Sequence, residues 1–272
     1  MYPKSNLHTH TTFCDGTVSP DSMVRAAIDK EIAVLGFSGH AHMTGPGEEW
    51  SMSVSGSAAY RAAVTQLKRD YSDQIEIALG IEQDVFSDAP TDGYDYVIGA
   101  AHFVIKDGEA IPIDHSAAAL GDGVNNFYHG DIYALIEDFY ELVAQIPEKT
   151  GADIIAHFDL VKKFNAGGAM FDENDPRYRD ASMTALLQAA KSGAIFEINT
   201  GGAYRGGNPE FYMSPTLLKE LKSVGGRITF SSDSHDVRSL CYKFPEAKKL
   251  AKSCGFKTAW TWSGGEFREF KI

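Results

Sequence analysis

The chain has 272 residues, with 25 Lys and Arg against 37 Asp and Glu, for a formal net charge of -12. That length suits one large domain or two small ones, and 43% hydrophobic with 23% charged residues is an ordinary globular composition with ample material for a core. No apolar run approaches the roughly 18 residues of a membrane-spanning helix. The start, Met1-Tyr2-Pro3-Lys4-Ser5-Asn6, lacks the apolar stretch of a signal peptide. Three cysteines (Cys14, Cys241, Cys254) are too few for a disulfide scaffold, and an odd count fits a reducing compartment. The expected setting is the cytoplasm, away from membranes. The acidic balance argues against a nucleic-acid binder, which would show a basic face. A small anionic substrate fits if cations sit in its site.

In chain order, short β-rich runs alternate with helical periodicity. A strand over Ser5–His10 precedes a helix opened by Ser19 as N-cap and Pro20 at its first position. Val34–His40 is the second strand, followed by a helix near 57–71, then strands over Ile75–Val85 and Tyr96–Val104. A Gly/Asp/Asn-rich stretch over 106–130, carrying His115 and His129, reads as a lid. Asp131 caps a longer helix whose Ile132, Leu135, Ile136, Phe139, Leu142, Val143 and Ile146 form a stripe at the 3.6-residue period. Asp153–Phe158, Ala194–Asn199 and Arg227–Ser232 complete seven strands, with helices near 182–191, after Ser214-Pro215 and near 246–254 between and after them. The tail with Trp260, Trp262, Phe267 and Phe270 reads as a closing segment packed on the fold. This alternation indicates a parallel α/β architecture. A doubly wound sheet would fit too, but no Gly-rich phosphate loop follows the first strand.

The polar residues fall at the strand ends. His8 and His10 close the first strand, His40 the second, Glu82 the third and His102 the fourth. His157 closes the fifth, Asn199 the sixth, and Asp233 with His235 the seventh. In a barrel, strand C-terminal ends converge on one face, where chemistry is done. Members of the pairs His8/His10 and Asp233/His235 are two apart, so in extended chain each pair points to one side. Asp15, in a Cys-Asp-Gly turn, can reach back toward the first pair. Burying so many ionisable groups without metal would be costly. Imidazole and carboxylate ligands suit Zn, Mn or Fe. Nine side chains (His8, His10, Asp15, His40, Glu82, His102, His157, Asp233 and His235) exceed what one ion uses, so two or three divalent ions are expected.

Taken in order, His8-Thr9-His10, Ser38-Gly39-His40, Gly80-Ile81-Glu82, Ala101-His102-Phe103, Ala156-His157-Phe158-Asp159 and Ser232-Asp233-Ser234-His235 resemble the successive motifs of the PHP (polymerase and histidinol phosphatase) superfamily. The runs His157-Phe158-Asp159-Leu160-Val161-Lys162-Lys163-Phe164 and Glu197-Ile198-Asn199-Thr200-Gly201-Gly202 are similar to its monofunctional histidinol-phosphate phosphatase branch. The resemblance implies a distorted (β/α)7 TIM-like barrel spanning residues 1–272 as a single domain, with a trinuclear metal site. It implies one metal among His8, His10, Glu82 and Asp233. Glu82 would bridge to a second, held also by His102 and His157, and a third would sit among Asp15, His40 and His235. Position 15 is Asp where some members have His, and Ser38-Gly39 precedes His40 where an acidic or similar residue is common.

The chemistry implied is hydrolysis of L-histidinol phosphate to L-histidinol and phosphate by a metal-bridging hydroxide, a task paired ions meet by neutralising charge and activating water. Asp233 and His235 are the expected groups at the leaving oxygen. Arg205, on the loop Thr200–Gly207, offers a guanidinium matched to phosphate, with Lys163 a second candidate and Lys162 expected to face solvent. His42 reads as a surface residue and Cys14 as a small buried thiol. Two other readings compete: a nuclease or nucleotide phosphoesterase of the same superfamily, and a metal-binding module without turnover.

Overall fold

A computed structural model describes residues 4–206 and 208–272, so Met1–Pro3 of the chain start and Gly207 of the 200–207 loop lie outside the described residues. Its strands are β1 (Ser5–Asn6), β2 (Val34–Phe37), β3 (Glu76–Asp84), β4 (Tyr96–Ala100), β5 (Phe103–Lys106), β6 (Glu109–Pro112), β7 (Ile154–Ile155), β8 (Ile195–Asn199), β9 (Arg227–Ser231), β10 (Thr258–Ser263) and β11 (Glu266–Lys271). The helices are α1 (Pro20–Asp29), α2 (Val54–Asp70), α3 (Ala117–Phe127), α4 (Ile132–Thr150), α5 (Pro176–Ala190), α6 (Gly201–Arg205), α7 (Pro215–Ser223) and α8 (Phe244–Ser253). Seven strands pair in parallel in the order β1-β2-β3-β4-β7-β8-β9. Past their ends the first and last strands meet, His10 N donating to Ser234 O at 2.8 Å and Ser234 N to His8 O at 3.1 Å. The sheet therefore curls into a nearly closed α/β barrel, which settles the choice against an open sheet.

The helix starts follow from their caps. Ser19 Oγ accepts from Ser22 N at 3.2 Å with Pro20 behind it, and Asp131 Oδ1 accepts from Tyr133 N and Ala134 N at 3.1 and 3.2 Å. Each satisfies amides that an α-helix leaves unpaired. Along α4 Leu135, Ile136, Phe139, Val143 and Ile146 of the apolar stripe are buried, and the helix stops at Gly151 in the left-handed region, φ 66°.

Alternation with period two sorts the inner face of the barrel into layers. On β3, Ala78 lies in the interior apolar cluster, Gly80 sits under the Tyr96 ring where a Cβ would collide, and Glu82 and Asp84 follow on the same side. On β4 the sequence is Tyr96, Ile98, Ala100 and then His102. At the base, the hairpin β10–β11 sets Trp262 and Phe267 against Tyr96, with ring centroids 6.1 and 6.3 Å away. The tail closes the barrel, as expected.

The expected strands Ser5–His10, Val34–His40 and Asp153–Phe158 stop early, at Asn6, Phe37 and Ile155, so His8, His10, His40 and His157 lie just past the strand ends. Three further stretches differ in kind. The expected fourth strand, Tyr96–Val104, breaks at His102, whose amide donates to Asp84 Oδ2 at 3.0 Å instead of joining the ladder. The chain then turns into the antiparallel pair β5–β6. The expected lid of 106–130 is built structure, comprising that hairpin and α3, whose Ser116 cap accepts from Ala119 N at 3.1 Å. The Thr200–Gly207 loop contains α6, one short turn ending in left-handed Gly206.

Candidate metal centre

The centre is organised around Glu82, which projects from within β3, two residues short of its end, and is 1% exposed. Its Oε2 lies 3.3 Å from His8 Nε2, 3.4 Å from His10 Nε2 and 2.9 Å from His40 Nδ1. Its Oε1 lies 3.3 Å from His157 Nε2 and 3.6 Å from His102 Nε2. Asp233 Oδ1 stands 3.5 and 3.3 Å from the same nitrogens of His8 and His10. Asp15, reaching back from its turn, brings Oδ2 to 3.0 Å from His235 Nε2 and Oδ1 to 3.7 Å from His40 Nε2. All nine residues singled out from the sequence come together at one end of the barrel.

Hydrogen bonding alone leaves this arrangement incomplete. Among the described residues, His8 Nε2, His10 Nε2 and Glu82 Oε2 are buried without a well-aligned hydrogen-bond partner, and a buried polar atom left unpaired costs about 1–3 kcal/mol. Yet they face one another at 3.3 and 3.4 Å. Donors around one divalent ion at ~2.0–2.2 Å stand about 3–3.6 Å apart, so these atoms fit metal ligation. Three groups have ligand atoms within 4.8 Å of one another: His8, His10 and Asp233; His40, Glu82 and His102; and His10, Asp15, His40 and His235.

The imidazoles are oriented from behind. His8 Nδ1 lies 2.8 Å from Glu197 Oε1 and His102 Nδ1 lies 2.9 Å from Asp84 Oδ2. An imidazole donating one N–H to a carboxylate turns the other nitrogen's lone pair outward, as a metal ligand needs. Glu197 also accepts from His157 N at 3.2 Å and from Asn199 Nδ2 at 3.1 Å. Asn199, at the sixth strand's end, is thus a brace for Glu197. Neither Glu197 nor Asp84 was assigned a role from sequence. The signal was parity, since each lies two residues from a residue already singled out and so on the same strand face.

Burial works against charge on His8, but Glu197, Asp233 and Glu82 outweigh it and hold its pKa well above the ordinary value. His40 is likewise raised to about 10, with Glu82 the main charge opposing burial. Burial would push Glu82 up, yet His40 and His8 hold it well below the carboxylate range. A site that draws protons onto its imidazoles draws divalent cations by the same potential, and metal binding displaces those protons.

A cavity of about 730 Å³ opens over this cluster, its wall including Trp50, Lys163, Arg205, Asp233 and His235. Lys163 pairs with Asp114 at 3.1 Å within that wall. Arg205 ends α6, and its guanidinium donates to Asp233 Oδ2 at 2.7 Å. Lys162 is not solvent-facing. It is 2% exposed, with Nζ 2.8 Å from Glu173 and 2.9 Å from Glu210, carboxylates remote in sequence. Of the other histidines, His115 lines the cavity from an exposed position and His129 is exposed, whereas half-buried His42 pairs through Nδ1 with Met52 O at 2.9 Å. Cys14 is half-buried, its Sγ 3.5 Å from His10 Nδ1. From the stretch 106–130, read as a lid, β6 supplies Glu109, Ala110 and Pro112 to the cavity wall.

Comparison with known proteins places the chain in a family. The PHP domain family model matches residues 6–201. A Deinococcus radiodurans protein named "Probable histidinol-phosphatase" is 26% identical over 92% of this chain and 94% of its own. The histidinol-phosphatase of Bacillus subtilis is 25% identical over 89% of this chain and 97% of its own. Among solved structures, the histidinol phosphate phosphatase of Lactococcus lactis, complexed with Zn, L-histidinol and phosphate, superposes with a TM-score of 0.72 at 24% identity, covering 97% of this chain and 98% of that one.

Proposed function

The chain belongs to the PHP domain family, and from that premise we infer that it is a metal-dependent phosphomonoesterase hydrolysing L-histidinol phosphate to L-histidinol and phosphate. The observation that carries the reading is Glu82, a buried carboxylate whose two oxygens face five imidazole nitrogens. Full-length relatives named for that activity supply the substrate. One ion falls to His8, His10, Glu82 and Asp233, a second to Glu82, His102 and His157, and a third to Asp15, His40 and His235. Two or three divalent ions, of Zn, Mn or Fe, fit a donor set of imidazoles and carboxylates. When bound, such ions neutralise phosphate charge and lower the pKa of water.

The chain's own groups bind and orient. Arg205 and Lys163 present cations to the cavity beside the ligands, and a guanidinium matches two phosphate oxygens at once. Asp233 and His235 serve the leaving-group side. His235 Nδ1 lies 2.9 Å from Asp233 O, which turns Nε2 toward Asp15, 3.0 Å away, and the cavity. A cavity of about 730 Å³ holds a small phosphorylated amino alcohol with room for water. The whole of 1–272 acts as one domain in this reading.

Phosphate release assayed across L-histidinol phosphate, β-glycerophosphate, nucleoside monophosphates and a short oligonucleotide, with Mn²⁺ or Zn²⁺ supplied, tests the proposal. Highest kcat/KM on L-histidinol phosphate is expected. Preference for a nucleotide or oligonucleotide would favour the nuclease reading, and no turnover with metal bound would favour a binding module.

A further inference from the structure

Asp233 has φ 46°, a left-handed conformation uncommon for residues with a Cβ. Its surroundings include one long side chain that grips it twice. Arg205 Nη2 donates to Asp233 Oδ2 at 2.7 Å and Nη1 donates to the Asp233 carbonyl at 2.9 Å. With Oδ2 taken, Oδ1 is the oxygen that faces His8 Nε2 and His10 Nε2, at 3.5 and 3.3 Å. His235 Nδ1 lies 2.9 Å from the same Asp233 carbonyl and 3.2 Å from Arg205 Nη1, which turns His235 Nε2 toward Asp15 Oδ2, 3.0 Å away. Arg205 reaches this position because α6 packs directly on the end of β9. At Gly201 a Cβ would stand 2.8 Å from Ser232 O and 3.0 Å from Asp233 Cβ, so only glycine permits the approach.

We propose that Arg205 is a positioning residue for the metal centre, locking Asp233 and, through the Asp233 carbonyl, His235 into the orientation in which both ligate. The proposal rests on the metallophosphatase reading and adds to it, since phosphate contact and ligand positioning use different donors. A guanidinium has five N–H groups, and the two bonds to Asp233 occupy only two of them. An ammonium at this position lacks the fork and cannot satisfy carbonyl and carboxylate together in the same way.

Equilibrium dialysis of chelator-stripped wild-type, R205A and R205K proteins against Mn²⁺ tests the clamp, with circular dichroism of each metal-free protein alongside. Ions that depend on Asp233 and His235 should bind R205A about 10- to 100-fold more weakly. The equivalent held by His102 and His157 should keep its affinity, and R205K should recover part of the loss. A general loss of structure would weaken every equivalent alike, and if R205A does not fold, R205Q carries the same comparison. A variant isotherm that superimposes on wild type, with only inhibition by inorganic phosphate weakened, overturns the clamp and leaves Arg205 a phosphate contact. Wild-type protein that binds no Mn²⁺ overturns the metallophosphatase reading itself.

Discussion

The two ends of this barrel are built on the same strands with the same alternation, yet they obey opposite rules. At the base, the inward positions Ala78, Tyr96, Ile98 and Ile195 meet Trp262 of the C-terminal hairpin in an apolar cluster. The one polar group that Tyr96 brings there is spent, its single hydroxyl hydrogen shared between Leu7 O and, at 3.2 Å, Phe37 O. At the top, the same faces of β3 and β8 carry Glu82 and Glu197, His102 follows the end of β4, and buried polar atoms there are left without hydrogen-bond partners among the described residues. The base is complete as folded, and the top is complete only with a cation. Stability should therefore answer to substitutions at one end and metal chemistry to substitutions at the other.

The strongest way to break that division is at Glu82. Replacing it with Gln removes the negative charge that five imidazoles share. Losing charge stabilisation worth several kcal/mol lowers turnover by about 10³-fold or more. Metal analysis of E82Q should show reduced occupancy at two positions. Near-normal turnover would remove β3 from the centre. The mirror experiment is Trp262→Ala. Truncating a core aromatic costs about 3–5 kcal/mol, read as a lower denaturant midpoint, while kcat and metal content of the folded enzyme stay close to wild type. A loss of metal in W262A without a loss of stability would show that the ends are not independent.

The parts legible in the sequence follow the same division. All seven barrel strands could be read because a buried parallel strand is a local β-rich run, and the helix starts because Ser19, Asp131 and Ser214 cap their own neighbours. The nine strand-end and turn residues could be read because ionisable side chains at successive strand ends have no apolar explanation. What escaped depends on contacts remote in sequence. The break after Ala100 is made by Asp84 capturing the His102 amide, while Phe103-Val104-Ile105 looks locally like more strand. Lys162 looked solvent-facing because Glu173 and Glu210, which hold it, arrive from other segments. Helix α6 escaped because two glycines open it, and glycine is a poor helix former.

A smaller effect sharpens the comparison inside the top layer. Glu197 touches no metal in the proposed assignment, but it holds His8 Nδ1 at 2.8 Å and the His157 amide at 3.2 Å. Glu197→Gln should weaken metal binding by about 10- to 100-fold. The loss should be recovered by raising Mn²⁺ in the assay, which separates it from the unrecoverable loss in E82Q. Insensitivity of E197Q activity to added metal would place Glu197 with the structural residues of the base.

The smallest expected effect is a difference in pH response between metal-free and metal-loaded protein. In the metal-free chain, burial opposes protonation of His8 and His40, but Glu197, Asp233 and Glu82 around His8, and Glu82 beside His40, raise both above the ordinary histidine value. A group whose pKa is raised on folding stabilises the fold fully below its unfolded pKa, about 6.5, and loses that contribution as pH climbs through the folded value. For His40 that value is about 10. His235 is shifted the other way, by burial first and His10 second, and so contributes with the opposite sign. With more histidines raised than lowered, the Tm of metal-free protein should fall between about pH 7 and 10. Metal-loaded protein should not follow it, because the ions rather than protons then satisfy the same nitrogens. Scanning calorimetry on both forms across that window checks the expectation. A metal-free Tm that stays flat or rises would mean that the upper layer is not held together by shared protons, and the contrast between the two ends would have to rest on ligand geometry alone.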